Sequence, residues 1–230
     1  MSLKNAPYAI ALICVFLPAA SVHITATLAM SFENIQTCVP YWSECYSISA
    51  TGRGYPEFFV FKALLIPTAV FMVAYWLLLH QWIKEISNDQ YSPRPVTIMG
   101  LIASLALVIY TVTLGAKGDP YVLARNVGII FYFAFNVFGH LVLLSYLDKI
   151  DTEKLFIVRS QNRLIITTLI MLGTAIATAF IGLLFDEFWD RWQNAYEWWF
   201  SLLMVTMFYH VADMWKTTNF HLHHSSVTID

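Results

Sequence analysis

The sequence predicts an all-α polytopic membrane protein that forms a single six-helix transmembrane domain over residues 1–230. Hydrophobic residues make up 58% of the chain and charged residues only 12%, whereas a soluble domain carries about a quarter charged residues. The mean hydropathy is correspondingly high, at +0.61. The net charge of −2 gives no basic surface for phosphate groups, so the composition argues against nucleic-acid binding.

Six apolar runs are each long enough to cross a bilayer, which takes about 20 residues. They are Tyr8–Met30, Phe58–Ile83, Val96–Gly115, Tyr121–Leu147, Leu164–Phe185 and Ala195–Trp215. The first run is longer than the apolar region of a cleaved signal peptide, about 7–15 residues, so we expect a retained helix. Pro18 and Pro67 fall inside predicted helices, where neighbouring membrane helices can satisfy the freed carbonyl groups.

Lysine and arginine are more frequent in the segments that share a side with the N-terminus. This bias predicts that both termini are cytoplasmic and that the first loop is ordered on the extracytoplasmic or lumenal side. Cys38 and Cys45 lie in that loop, where an oxidising compartment permits a disulfide. Two free thiols are the alternative interpretation of the same pair.

Ionisable side chains in the hydrocarbon region are costly, so they indicate candidate functional positions. Sorted by depth, one set lies near the predicted outer face, with His23 somewhat deeper. This outer set consists of Arg53, Glu57, Lys62, Arg125, Asn126 and Glu197. It predicts an outward-facing polar pocket between helices two, four and six that binds lipid headgroups, because phosphate or carboxylate suits paired cations. The alternative is that these charges pair only to lock the three helices together.

A second set of polar residues lies towards the predicted cytoplasmic ends of the helices. It consists of His80, His140, His210 and Asp213, which are ligand types for zinc or, as paired histidines, for haem. No HExxH, HxxxH or CxxC pair occurs within the helices, so three helices would have to converge, and we expect no cofactor. The C-terminal HLHH segment, with His221, His223 and His224, is interpreted as a flexible tail at the membrane surface.

Catalytic motifs are weak in this chain, which leaves open whether it is an enzyme. It contains no GxSxG nucleophile elbow and no glycine-rich phosphate loop. A lipid-modifying membrane enzyme, an acyltransferase or a hydrolase, would have to use Glu197 as base and His23 as acid or base.

Three short motifs carry a resemblance to a known family. The segment SISATGRGYPE places Ile48, Ser49, Thr51, Gly52, Pro56 and Glu57 in a pattern before a helix; RNVGIIFYFAFNV opens helix four; and YEWW opens helix six with Glu197 and Trp198. Together with the six-helix order, these motifs resemble the Frag/DRAM/Sfk family, which includes the damage-regulated autophagy modulators and relatives of GPI-lipid-remodelling proteins. Where the autophagy modulators have His-Asp before a glycine, this chain has Arg125 and Asn126 before Gly128.

The resemblance implies lipid remodelling, lipid distribution or membrane trafficking. It also brings Glu57, Glu197 and the Arg125–Asn126 pair forward together as site residues. We therefore expect a lipid-handling or membrane-organising protein whose partners are membrane lipids.

Overall fold

The computed structural model describes residues 5–221. These residues form six α-helices, which are largely apolar, and one short 3₁₀ helix. His223 and His224 therefore lie outside the described residues. The elements, in chain order, are α1 (Ala6–Ser31), the 3₁₀ helix (Ile48–Gly52), α2 (Glu57–Ile86), α3 (Arg94–Thr113), α4 (Asp119–Leu147), α5 (Val158–Leu184) and α6 (Asp186–Thr217). The all-α prediction is confirmed, and five helices, α1 to α5, are long and apolar enough to cross a membrane.

The sixth helix has a different composition from the other five. Its first turns are charged, with Asp186, Glu187, Asp190 and Arg191, and it begins at Asp186, well before the predicted Ala195. Its later part is rich in buried aromatic residues and methionine, which score lower in hydropathy than leucine or isoleucine. Length and packing thus fit a core helix of the bundle, although hydropathy does not place α6 with the other five.

The packing of the helices leaves one side of the bundle open. Helices α1, α2 and α3 each pack on the next helix in the chain, and α3 with α4 forms the most extensive pair. Helix α6 packs against both α1 and α5. By contrast, α4 touches α5 and α6 at few places, so a gap separates α4 from the α5–α6 pair.

Glycines allow the close approach of α2, α3 and α4. The buried Trp76 side chain of α2 lies against Gly100 of α3 and Gly139 of α4, where any larger residue would meet the indole ring. At Gly128, a Cβ atom would lie 2.9 Å from the backbone nitrogen of Tyr110 and 3.0 Å from the carbonyl oxygen of Ala106. The α3–α4 contact is therefore backbone against backbone at the level of Tyr110.

The first loop is fixed at one end of the bundle, called here the loop-1 end. A disulfide joins Cys38 and Cys45, whose Cα atoms are 5.9 Å apart, and this confirms the disulfide interpretation of the pair. At Glu44, the backbone N–H donates to the carbonyl oxygen of Arg191 over 2.8 Å, and the side chains of the same two residues form a 3.4 Å ion pair. The first turns of α6 thus hold the loop.

Candidate functional site

Helix α6 binds the backbone of the first loop through four side chains. Asn194 Nδ2 donates to the carbonyl oxygen of Cys45 over 2.7 Å, and the Nε1 atoms of Trp198 and Trp199 donate to the carbonyl oxygens of Tyr46 and Tyr41 over 3.1 and 3.2 Å. The fourth, Glu197 Oε2, accepts the Ile48 N–H over 3.2 Å at the start of the 3₁₀ helix. Asn194, Glu197 and Trp198 lie three and four positions apart and so share a helix face, and Trp199 reaches the loop from the position next to Trp198.

A cavity of about 620 Å³ fills the gap between α4, α5 and α6, below the 3₁₀ helix. This volume is within the usual range for small-molecule sites, about 300–1,000 Å³. The polar groups of the lining are Ser49, Arg53, Tyr110, Arg125, Asn126, Gln193 and Glu197, all towards the loop-1 end. The rest of the lining consists of two amphipathic aromatic residues, Trp189 and Tyr196, and of apolar residues: Ile129, Ile130, Phe133, Ala134, Val137, Phe138, Met171, Leu172, Ala175 and Phe200.

The charged groups at the polar end of the cavity do not neutralise one another by direct contact. Arg53 Nη2 donates to the Ser49 hydroxyl over 2.6 Å, and Arg125 forms no hydrogen bond or ion pair with another described residue. The salt bridges of the described chain lie elsewhere, at Lys84–Asp89, Lys154–Asp151 and Arg191–Glu44. The guanidinium groups of Arg53 and Arg125 therefore have unpaired N–H donors at the cavity, which Glu197 also lines.

The structure places four of the six predicted lipid-binding residues at this cavity: Arg53, Arg125, Asn126 and Glu197. Lys62 does not line it. Its Nζ atom donates to the carbonyl oxygen of Val112 over 3.0 Å and lies 4.0 Å from the centroid of the Phe58 ring. Val112 belongs to the last turn of α3, whose carbonyl groups lack helical partners, so the lysine caps that helix. Within residues 5–221, Lys62 forms no ion pair with Glu57 or Glu197.

Glu57, the first residue of α2, does not line the cavity either. The carboxyl group is fully buried, and its Oε1 atom accepts a hydrogen bond from Asn34 Nδ2 over 2.9 Å. The same Asn34 nitrogen donates to the carbonyl oxygen of Tyr55 over 2.9 Å. Glu57 thus holds the base of the loop, and the cavity lies between helices four, five and six instead of two, four and six.

His23 lines a second, smaller cavity of about 50 Å³, which it shares with Glu197 and Ser201. Its Nδ1 atom lies 2.7 Å from the carbonyl oxygen of Ala19, which can only accept, so that nitrogen carries the proton in the neutral ring. The Nε2 atom, 2.7 Å from the Tyr41 hydroxyl, is then the acceptor. Burial raises the pKa of Tyr41, which keeps its hydroxyl protonated as a donor. His23 and Glu197 therefore line the same small cavity without bonding to each other.

The structure does not gather the deeper histidines into one site. His80 Nδ1 bonds to the Thr97 hydroxyl over 2.9 Å, and His140 Nε2 bonds to the Tyr75 hydroxyl over 3.1 Å. In the C-terminal half of α6, His210 Nε2 lies 3.1 Å from the Thr167 hydroxyl. Asp213 accepts a 2.5 Å hydrogen bond from Ser160. Within residues 5–221, no group of three or more His, Cys, Asp or Glu side chains is placed to hold a metal ion.

Tyr110 is a lining residue that sequence reasoning missed. A search restricted to ionisable residues in apolar runs passes over a tyrosine, because aromatic residues are common in membrane helices. A signal was present nonetheless, since the small residue Gly128 in α4 marks the point at which another helix backbone approaches.

Comparisons with protein-family models, with curated proteins and with solved structures give no match for this chain. Function is therefore inferred from the geometry of the site.

Proposed function

We propose that this protein handles membrane lipid by holding one lipid molecule in the cavity between α4, α5 and α6. The proposal includes six membrane spans with α6 as the last, both termini on the cytoplasmic side, and the first loop on the extracytoplasmic or lumenal side. It also includes the kinship with the Frag/DRAM/Sfk family that the three sequence motifs suggest. One observation carries the proposal: the lining of the cavity is polar at one end and apolar over the rest.

The dimensions of the cavity support a lipid occupant. Along α4, the lining runs from Arg125 to Phe138, which is about 20 Å at 1.5 Å per residue. One leaflet of a bilayer has a hydrocarbon depth of about 15 Å. A lipid with its headgroup at Arg125 would thus place an acyl chain along Phe133, Val137 and Leu172 at its ordinary depth in the membrane.

The open side of the bundle supports entry of the lipid from the membrane. Helix α4 makes few contacts with α5, and lining residues Ile130 and Phe138 are 61% and 47% exposed. Apolar side chains at such an opening match lipid tails, so a lipid can enter sideways without its tail crossing water.

The first experiment compares the lipids that co-purify with the wild type and with Arg125→Ala. We expect Arg125→Ala to retain at least about tenfold less of the bound lipid, because it removes a charged donor from the polar end. The control is Lys62→Met, which removes a predicted membrane cation that does not line the cavity. Equal retention by Arg125→Ala and the wild type, or equal losses in the two variants, would contradict the proposal.

A lipid-modifying enzyme is the second candidate, favoured by one observation. Glu197 lines both cavities, and His23 shares the smaller one with it. This candidate requires that Glu197→Gln abolish lipid turnover by purified protein. Turnover that survives this change would eliminate Glu197 as the base. The Ile48 N–H donates a hydrogen bond to Glu197, which already gives this side chain a structural role. We therefore favour the hypothesis that the protein binds lipid without modifying it.

A further inference from the structure

The hydroxyl group of Tyr110 lacks a partner inside the bundle. The residue is 2% exposed, and no described residue accepts or donates a hydrogen bond at its hydroxyl. Buried polar groups are nearly always paired, so such a group indicates a missing partner. Tyr110 also lines both cavities, which places it where a bound molecule could supply that partner.

Other unpartnered buried polar atoms of the described chain do not share this position. They are Glu57 Oε2, Trp76 Nε1, Asn136 Oδ1, His210 Nδ1 and Trp215 Nε1, and none of these residues lines either cavity. Tyr110 is therefore singled out by two independent observations, its unpartnered hydroxyl and its place in the cavity wall.

The position of Tyr110 is fixed by close packing. Its ring lies edge-on to Phe61, with 6.3 Å between the centroids. The backbone of α4 at Gly128 lies directly against the backbone of Tyr110, which prevents the α3 segment from shifting towards the cavity. Arg125 lies about one turn before Gly128 on the same helix, so this contact also sets the height of its side chain relative to Tyr110.

We propose that the cavity selects a phospholipid with a phosphodiester headgroup, and that Tyr110 donates a hydrogen bond to a phosphate oxygen of that headgroup. This inference rests on the proposed function, lipid binding in the same cavity. Donors from three separate elements line the polar end: Arg53 from the first loop, Tyr110 from α3 and Arg125 from α4. A tetrahedral phosphate presents enough acceptor oxygens to bind all three, and arginine is well suited to phosphate.

Charge at the polar end distinguishes a phosphodiester from a phosphomonoester. Two guanidinium groups, Arg53 and Arg125, lie there with one carboxyl group, Glu197. With the carboxyl group ionised, the charges of the protein leave an excess of one positive charge. A phosphodiester carries one negative charge and balances that excess, whereas a monoester, with up to two negative charges, would exceed it.

The test uses full-length protein in detergent, stripped of lipid and titrated with short-chain phosphatidylglycerol, a phosphodiester. The readouts are the dissociation constant and the rise in melting temperature. Short-chain diacylglycerol, which lacks the phosphate, and inorganic phosphate, which lacks the tails, are the comparison ligands. We expect phosphatidylglycerol to bind at least about tenfold more tightly than either. Equal binding of diacylglycerol would overturn the phosphate contact, and equal binding of inorganic phosphate would overturn the lipid assignment.

The decisive variant is Tyr110→Phe, with Tyr75→Phe as its matched control. Tyr75 is also fully buried, but its hydroxyl already bonds to His140. We expect Tyr110→Phe to weaken phosphatidylglycerol binding at least about tenfold while the lipid-free melting temperature stays the same or rises, because no internal hydrogen bond is lost. Tyr75→Phe should do the opposite, with a lower melting temperature and unchanged affinity.

The outcomes separate this inference from the proposed function. If Arg125→Ala loses phosphatidylglycerol and Tyr110→Phe binds it like the wild type, the role of Tyr110 is wrong and the lipid cavity stands. If neither change affects binding, the lipid cavity itself is wrong. A lower lipid-free melting temperature in Tyr110→Phe, with normal affinity, would assign the hydroxyl to an internal contact.

Discussion

Among individual residues, four side chains of α6 hold the irregular backbone of the first loop in place beside the cavity. They are Asn194, Glu197, Trp198 and Trp199. Each of them satisfies a backbone group that would otherwise need water. Because the 3₁₀ helix that follows carries Ser49 and Arg53 into the cavity wall, the position of the polar end depends on these contacts.

The two tryptophans of this set offer a matched test. Both donate from Nε1 to loop carbonyls, but Trp198 is fully buried whereas Trp199 is 50% exposed. We expect Trp198→Phe to lower the free energy of unfolding by about 2–3 kcal/mol, since a buried carbonyl loses its donor and a void is left. Trp199→Phe should cost under about 1 kcal/mol, because water can replace the lost donor.

Thermal unfolding in detergent, together with the rate of proteolysis in the first loop, measures both effects. Comparable losses in the two variants would show that burial does not govern how the loop is held.

At the element scale, the contact between α3 and α4 aligns the two helices that carry Tyr110 and Arg125. We expect Gly128→Ala to lower the free energy of unfolding by about 1–3 kcal/mol, because its Cβ would press on backbone atoms of Tyr110 and Ala106 that cannot turn aside. The same change should weaken lipid retention by moving Arg125 away from Tyr110.

The control for this change is Gly173→Ala in α5, where a Cβ atom would meet nothing within 4 Å. It should be neutral or stabilise by up to about 1 kcal/mol, since alanine favours the helix. The measurement is again thermal unfolding, with co-purified lipid as the second readout. A neutral Gly128→Ala would contradict the tight helix contact.

The positions of the helices could be predicted from the sequence more accurately than the contacts between their side chains. Long apolar runs define α1 to α5 because crossing a membrane needs length and hydrophobicity alone. The early start of α6 was missed, since its charged first turns carry no hydropathy signal. Sorting by depth put Arg53, Arg125 and Glu197 in one set, and all three line the cavity, but depth does not say which way a side chain points. Lys62 at the same depth turns to the end of α3 instead.

In the whole molecule, the proposed topology depends on α6. Its charged first turns bind the loop at one end of the bundle, whereas Trp215 and His210 are buried near the other end. A helix of 32 residues is about 48 Å long, which exceeds the hydrocarbon core of about 30 Å. In the proposed six-span topology, this length would let the charged turns remain in the headgroup region while the aromatic part crosses the core.

The proposed six spans make a prediction that chemical labelling can check. Single cysteines are introduced at exposed positions into a variant without native cysteines, and intact cells or sealed vesicles are treated with a membrane-impermeant maleimide. We expect Lys117→Cys and Glu187→Cys to react from the outside, because both lie at the loop-1 end. Glu153→Cys, between α4 and α5, and Lys216→Cys, at the end of α6, should react only after the membrane is opened.

The comparison of Glu187 with Lys216 is decisive for α6, because the two positions bracket that helix. If both react from the same side, α6 does not cross, and the lower part of the bundle that it shares with α1 would have to lie outside the hydrocarbon. If Glu153 reacts from the outside and Lys117 does not, the molecule is inverted. The polar end of the cavity would then face the cytoplasmic leaflet, and the lipid it holds would have to be drawn from that leaflet.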